Sequence, residues 1–273
     1  AQFCLAALEH VRLSQGITVT HVSLSEDGAL DGDAFARALY HGARAVVVNH
    51  ASNVTGRVNE VAALFALARR AGAVTVLDAS QTLGHLPVKP LEVGADVVAF
   101  TGHKGLLGPA GTGGLYVSSG LEVRQAIVGG TGVRSDLATH PEDMPTRLEA
   151  GTPGTPAFAG LAAALEWRKE HGAEWELGEQ RAAEALRTGL GEIGGVEVVD
   201  DDERATRVGV VSLRARGWEV EELGYILGES FGIHCRTGLH CAPLIHEAVG
   251  TAPEGTVRLS VSGFTSGEDI DYA

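Results

Sequence analysis

The sequence predicts an α/β fold: a mostly parallel sheet with flanking helices, followed by a smaller α+β C-terminal domain. Three observations predict it. Short β-branched runs alternate with helical patterns through the first half. Those runs are nearly continuous in apolar residues, as strands covered on both faces are. Past a Gly/Thr/Pro-rich stretch, the text changes to longer helical patterns with a few short strands. The expected division is 1–157 and 158–273.

The elements follow in order. ARAVVVNH (43–50) reads as a strand ending in polar residues. Asn59 is the predicted N-cap of EVAALFALARRAG. There Val61, Leu64, Phe65 and Ala68 keep helical spacing, and Gly72 stops the helix. Strands are expected in VTVLDAS (74–80), ADVVAFTG (95–102) and GGLYVS (113–118). Residues 129–157 have no period and predict a long ordered loop, which is usually functional. Two helices are expected next, from about Phe158 to His171 and from about Trp175 to Gly191. Strand-like VEVVD and RVGVVSLRA, helical EVEELGYILGESFG, a His/Cys loop and strand-like TVRLSVS complete the second domain. Both ends read as cut. Residue 1 enters helix-like text (CLAALEHVRL) without a start methionine, and SGEDIDYA opens another helix.

Composition excludes some classes of function. The formal net charge is −14 and no Lys/Arg cluster interrupts it, so neither a nucleic acid nor an anionic membrane is an expected partner. There is no apolar run of bilayer length and no signal peptide. Three cysteines, Cys4, Cys235 and Cys241, argue against a disulfide framework and for a reducing cytoplasm.

In an open parallel sheet, ligands bind outside the carboxyl ends of the strands. Three predicted strands end there in polar residues: Asn49, His50 and Asn53; Asp78, Ser80 and Gln81; Thr101, His103 and Lys104. Each alone also fits a plain turn; their convergence on one edge suggests a site. Of the other two lysines, Lys169 lies in a charged helical stretch and Lys89 sits between Val88 and Pro90. Lys104 sits in TGHKGLLGP, where desolvation would favour a neutral, nucleophilic amine. A lysine and an acid at neighbouring strand ends, with Gly-rich turns able to hold a phosphate, suggest pyridoxal phosphate. The sequence has no G-x-G-x-x-G dinucleotide motif and no P-loop, whereas GGTG (129–132) would offer backbone N–H groups and Thr131 to a phosphate. HCRTGLHCAP (234–243) holds two His–Cys pairs but lacks Cys-x2-4-Cys spacing, so no metal is expected there. Arg236 and His240 would lower the pKa of Cys241, and Cys235 reads as packed.

These residues resemble a known family. NHASNVTG (49–56), VLDASQ (76–81), TGHKGLLGPAGTGGLYV (101–117), GGTG (129–132), RLEAGTP (147–153), RTGLHCA (236–242) and TVRLS (256–260) resemble the class V aminotransferase superfamily. Within it they are similar to the cysteine desulfurase/selenocysteine lyase-like group. The resemblance implies pyridoxal 5'-phosphate, with Lys104 as the residue that condenses with its aldehyde and moves the substrate α-proton. It implies Asp78 on the pyridine nitrogen, Gln81 on the phenolic oxygen, and Thr101 and His103 on the phosphate. Thr131 would serve the partner subunit's phosphate site in a homodimer. Asn53 and Arg258 would hold the substrate carboxylate, and Arg236 would line the entrance. Cys241 would accept sulfur from L-cysteine as a persulfide, releasing alanine and supplying a sulfur-acceptor protein in iron–sulfur or thio-cofactor assembly.

Two family features, a Gly-Thr-Thr phosphate turn and a His stacked on the cofactor ring, have no counterpart in the text, and Thr101 stands where a Ser is common. The alternatives are a selenocysteine lyase or related β-lyase, a non-catalytic fragment, and a zinc protein using 234–241.

Overall fold

The computed structural model describes residues 2–25, 28–134 and 136–273, with Gln2 and Phe3 as backbone only. Helix α1 (Gln2–Gln15) leads to α2 (Gly32–Tyr40), which the sequence reading had passed over. Its start signal is present nonetheless: Asp31 caps it by accepting from the Ala34 N–H.

Strand β1 (Ala45–Asn49), helix α3 (Val61–Arg70), strand β2 (Val74–Asp78), short helix α4 (Pro90–Val93), and strands β3 (Val97–Thr101) and β4 (Gly113–Val117) follow. The sheet order is β1-β2-β3-β4, with β1, β2 and β3 parallel and β4 antiparallel on the edge. This is the mostly parallel sheet that the near-continuous apolar runs predicted. Helix α3 covers one face with the spacing read from sequence: Val61, Leu64, Phe65 and Ala68 are buried. Phe65 and Leu77 are fully enclosed, each worth roughly 1.5–3 kcal/mol of burial.

Asn59 does not cap α3. Glu60 occupies the cap position without a side-chain hydrogen bond, while Asn59 Nδ2 donates to the Asn49 carbonyl at 2.8 Å. The amide satisfies a strand-end carbonyl rather than a helix-end N–H.

A single 3-10 turn (Thr146–Leu148) interrupts the long loop. Beyond it, α5 (Thr155–Glu192) is one helix of 38 residues, not the two expected. Gly172 does not break it, since one interior glycine costs about 1 kcal/mol and a buried seam of Leu161, Trp175, Ala182, Leu186 and Leu190 outweighs that. Strands β5 (Val196–Val198) and β6 (Val210–Ala215), helices α6 (Val220–Phe231) and α7 (Pro243–Ala248), strand β7 (Val257–Ser260) and helix α8 (Gly267–Tyr272) complete the chain. The second sheet is antiparallel, in the order β5-β6-β7. Leu186 and Leu190 of α5 join Val211, Leu213, Val257 and Leu259 in its core.

The turn after β1 is sewn to this second sheet. Val58 N–H donates to Thr206 O at 2.8 Å, Val208 N–H to Gly56 O at 3.0 Å, and Ser212 Oγ to Val54 O at 2.6 Å. Arg57 forks onto Asp200 at 2.9 and 2.7 Å and reaches Asp202 at 3.2 Å, nearly shielded from water. Asp200 holds the guanidinium above its usual pKa. Asn53, in this turn, is thereby fixed against the second sheet. Among the described residues, no helix is long and apolar enough to cross a membrane.

Candidate active site

Parallel register brings the strand ends together. Asn49 pairs with Asp78, and Asp78 with Ala99, two residues before Thr101. Directly beyond β3, Gly102 N–H donates to Thr112 O and Gly108 N–H to Gly102 O, both at 2.8 Å, folding Lys104 back over the sheet edge. A Cβ on Gly102 would stand 2.2 Å from Thr112 Oγ1, and one on Gly105 would stand 2.6 Å from the His85 ring. The glycines of TGHKG therefore let this turn lie flat on its neighbours.

Lys104, Asp78, Gln81, Asn53, Arg236, Arg258 and Cys241 line one cleft of about 420 Å3, a size suited to a small ligand. Burial pushes the Lys104 amine below the usual lysine value. The Asp78 carboxylate opposes that shift and Arg258 adds to it. Asp78 accepts the Ser80 N–H at 3.0 Å through one oxygen. Its other oxygen accepts the Cys4 thiol at 3.4 Å, and burial followed by this carboxylate pushes that thiol up to about 11.

The opposite wall belongs to the second sheet. Arg236 and Arg258 exchange backbone hydrogen bonds of 3.0 and 2.7 Å. Arg258 donates to the Asn53 carbonyl at 3.0 Å, while its Nε is buried without a partner. Asn53 Nδ2 donates to the His240 carbonyl at 2.6 Å. The exposed Cys241 receives Arg236 at 3.3 Å. His240 and Cys241 both have positive φ, +50° and +58°, a conformation uncommon outside glycine. This local turn presents the Cys241 thiol to the cleft while His240 is buried.

His240 departs from the sequence expectation of a positive neighbour for Cys241. Burial, then Arg258, His246 and Arg236, lower its pKa to about 4. The ring is neutral near pH 7, and the charge beside the sulfur is that of Arg236. Cys235 is packed as expected: it sits against the second core, and burial raises its thiol pKa. His103 is exposed and lines a shallow depression beside the cleft with Lys104. Thr131 is buried in the long loop, where its hydroxyl accepts the Val133 N–H at 3.4 Å, and it does not line the cleft. Among the described residues, no three His, Cys, Asp or Glu side chains are grouped to hold a metal ion.

Sequence reasoning missed Cys4, His85 and Glu179. His85 lines the cleft, and its Nδ1 donates to the Glu179 carboxylate, with oxygens at 2.9 and 2.8 Å. No local spacing marks them, since each partner lies more than seventy residues away along the chain.

A fold with a cleft at the carboxyl edge of a parallel sheet, and a half-buried lysine beside an aspartate, defines a class. The "Aminotransferase class-V" family pattern matches residues 4–273, and the chain belongs to that family. Members of the family use pyridoxal 5'-phosphate. The chain is 33% identical over 263 residues to a probable cysteine desulfurase of Methanothermobacter thermautotrophicus, covering 94% of this chain and 65% of that protein. It is 34% identical over 261 residues to probable cysteine desulfurase 2 of Mycobacterium leprae, covering 94% of this chain and 61% of that one. The apo structure of a cysteine desulfurase from Thermococcus onnurineus superposes with a TM-score of 0.85 at 28% identity, over 99% of this chain and 68% of that one. The chain thus spans about three fifths of the length of the curated relatives it matches.

The cleft fits the family's cofactor. It offers a desolvated amine, a carboxylate whose outer oxygen holds only a weak thiol donor, and a glycine-flattened turn. The Thr101 hydroxyl oxygen is buried without a partner, so a donor or acceptor is wanted beside it.

Proposed function

We propose that this chain provides the catalytic cleft of a cysteine desulfurase that moves sulfur from L-cysteine to Cys241. One juxtaposition carries this reading: the Lys104 amine and the Cys241 thiol face one cleft from opposite sheets. Lys104 would hold the cofactor covalently, Asp78 would take its ring nitrogen, Gln81 its phenolic oxygen, and Thr101 with His103 its phosphate. When bound, the cofactor supplies an electron sink for the carbon from which a proton leaves.

The remaining work falls to the chain's own residues. Arg258 has an unpaired buried Nε, and with Asn53 it would bind the substrate carboxylate by charge-assisted bonds. Its positive charge is held close to Lys104, which favours the neutral, proton-accepting amine. Arg236 donates a hydrogen bond to the sulfur of Cys241, the group that would act as the nucleophile. The cysteine Cβ–S bond breaks, an S–S bond to Cys241 forms, and Cβ takes up a proton to give alanine. Carbon is reduced as the two sulfurs are oxidised, so no external oxidant is required.

We further propose that the halves divide near residue 157, that the protein acts as a homodimer with Thr131 serving the partner's site, and that it works in a reducing cytoplasm, handing sulfur to an acceptor protein. The test is Cys241→Ala. The expected result is loss of persulfide and of sulfide release from cysteine, with cofactor uptake intact. Desulfuration of cysteine at the full rate by this variant would overturn the reading. Retained action on selenocysteine alone would favour the lyase alternative.

A further inference from the structure

We propose that Glu179 and His85 form a positioning pair that sets the Lys104 turn against the wall carrying Arg258. Glu179 projects from α5 and is 2% exposed. Its carboxylate makes three contacts to two different parts of the fold. It accepts from His85 Nδ1 at 2.9 and 2.8 Å, and its Oε1 also accepts the Gly209 N–H at 2.9 Å.

Each contact leads to one wall of the cleft. The His85 ring lies flush on Gly105, next to Lys104; a Cβ there would stand 2.6 Å from Cδ2 and 2.8 Å from Nε2. Gly84 is equally close, since its Cβ would stand 2.3 Å from the Gly105 carbonyl carbon. On the other side, Gly209 O accepts the Val261 N–H at 2.9 Å, just beyond the β7 strand that carries Arg258. A Cβ on Gly209 would stand 2.8 Å from Glu179 Cγ and 2.5 Å from Val261 O. There is no slack on either side. A buried carboxylate demands such donors.

The consequence falls on Lys104. The amine faces Asp78 from the end of β2 and Arg258 from β7. Arg236, His240, Cys241 and His85 stand along the same cleft, and Cys4 of α1 faces Asp78. If the clamp opens, water enters and Arg258 withdraws, and both changes return the amine toward an ordinary lysine. The inference deepens the functional reading and rests on it only for the effect on turnover.

The chain has just three lysines, which makes a direct test practical. With any bound pyridoxal 5'-phosphate first removed so that the Lys104 amine is free, reductive methylation with formaldehyde and cyanoborohydride, followed by peptide mass spectrometry across a pH series, gives a half-maximal pH for each. Lys89 and Lys169, with side chains 65% and 68% exposed, serve as internal references. Lys104 should reach its half-maximum below both in the unaltered protein. Glu179→Ala should raise the Lys104 value by about one pH unit. Glu179→Gln, which keeps an acceptor oxygen, should stay near the unaltered value. Arg57→Ala, which cuts another of the ties between the halves, should leave Lys104 where it was. An unmoved Lys104 in Glu179→Ala would reduce the pair to packing and overturn the inference. So would an equal shift in Arg57→Ala, which would signify general loosening. Should Glu179→Ala not fold, His85→Ala is read the same way. Separately, failure of the unaltered protein to gain a visible absorption band with pyridoxal 5'-phosphate would sink the functional reading and leave the methylation result standing.

Discussion

The two walls of the cleft place their chemistry on the backbone in different ways. On the parallel sheet, Asn49, Asp78 and Thr101 are strand-terminal residues; register sets Asn49 level with Asp78, Thr101 lies two residues beyond, and Lys104 follows in the next turn. On the antiparallel sheet, Arg258 lies within β7, paired with Ser212, and Cys241 stands on a turn of positive φ. The first wall is a topological edge, where any parallel sheet gathers its strand ends. The second is a special-purpose loop held against a strand. One wall is placed mainly by sheet register and the other by a few particular contacts.

Breaking the first wall should have the largest effect. Lys104→Ala is expected to lower turnover by about 10^2–10^4-fold and to abolish the visible absorption of bound cofactor, measured by alanine formation and spectroscopy.

The second wall should reveal itself in acid. The unfolded His240 imidazole takes its proton near 6.5, whereas the folded ring does so only near 4. Between those values the unfolded state binds more protons, so stability rises with pH across the window and is lost as pH falls through it. The expected contribution is ~3 kcal/mol, fully lost below pH 4. Denaturant titrations from pH 7 to pH 4 should show a flatter profile in His240→Asn; an unchanged slope would contradict the burial argument.

A smaller effect sharpens the role of the β7 arginine. Arg258→Lys keeps the charge but loses the two-pronged geometry, so KM for cysteine should rise about 10–100-fold with little change in kcat. The smallest contrast lies within the loop itself. Cys235→Ala should cost about 1 kcal/mol of stability and leave sulfur transfer intact, because that thiol packs against the core rather than facing the cleft. A loss of transfer there would erase the distinction between the two cysteines.

The first wall was legible before any coordinates. Apolar runs ending in Asn49, Asp78 and Thr101 marked strand ends, and a lysine among glycines marked the reactive turn. Much of the second wall was legible only through resemblance, because nothing local separates Arg258 from any arginine in a strand. Cys4 and the Glu179–His85 pair left no trace, since their partners lie 74 and 94 residues away. The misread elements follow the same line. Asn59 looked like a cap, but its amide found the nearer carbonyl of Asn49. The stretch 158–191 looked like two helices, but a buried seam carried α5 through Gly172.

The sequence by itself determined the alternation of strands and helices, the polar strand ends and the chemistry of the amine, because periodicity and desolvation act over a few residues. Only the tertiary structure decided that His240 is neutral, that Cys241 faces Lys104 across a cleft, and that a glutamate on α5 spans both walls. Those facts depend on burial and on hydrogen bonds between distant segments, and both exist only once the chain has closed on itself.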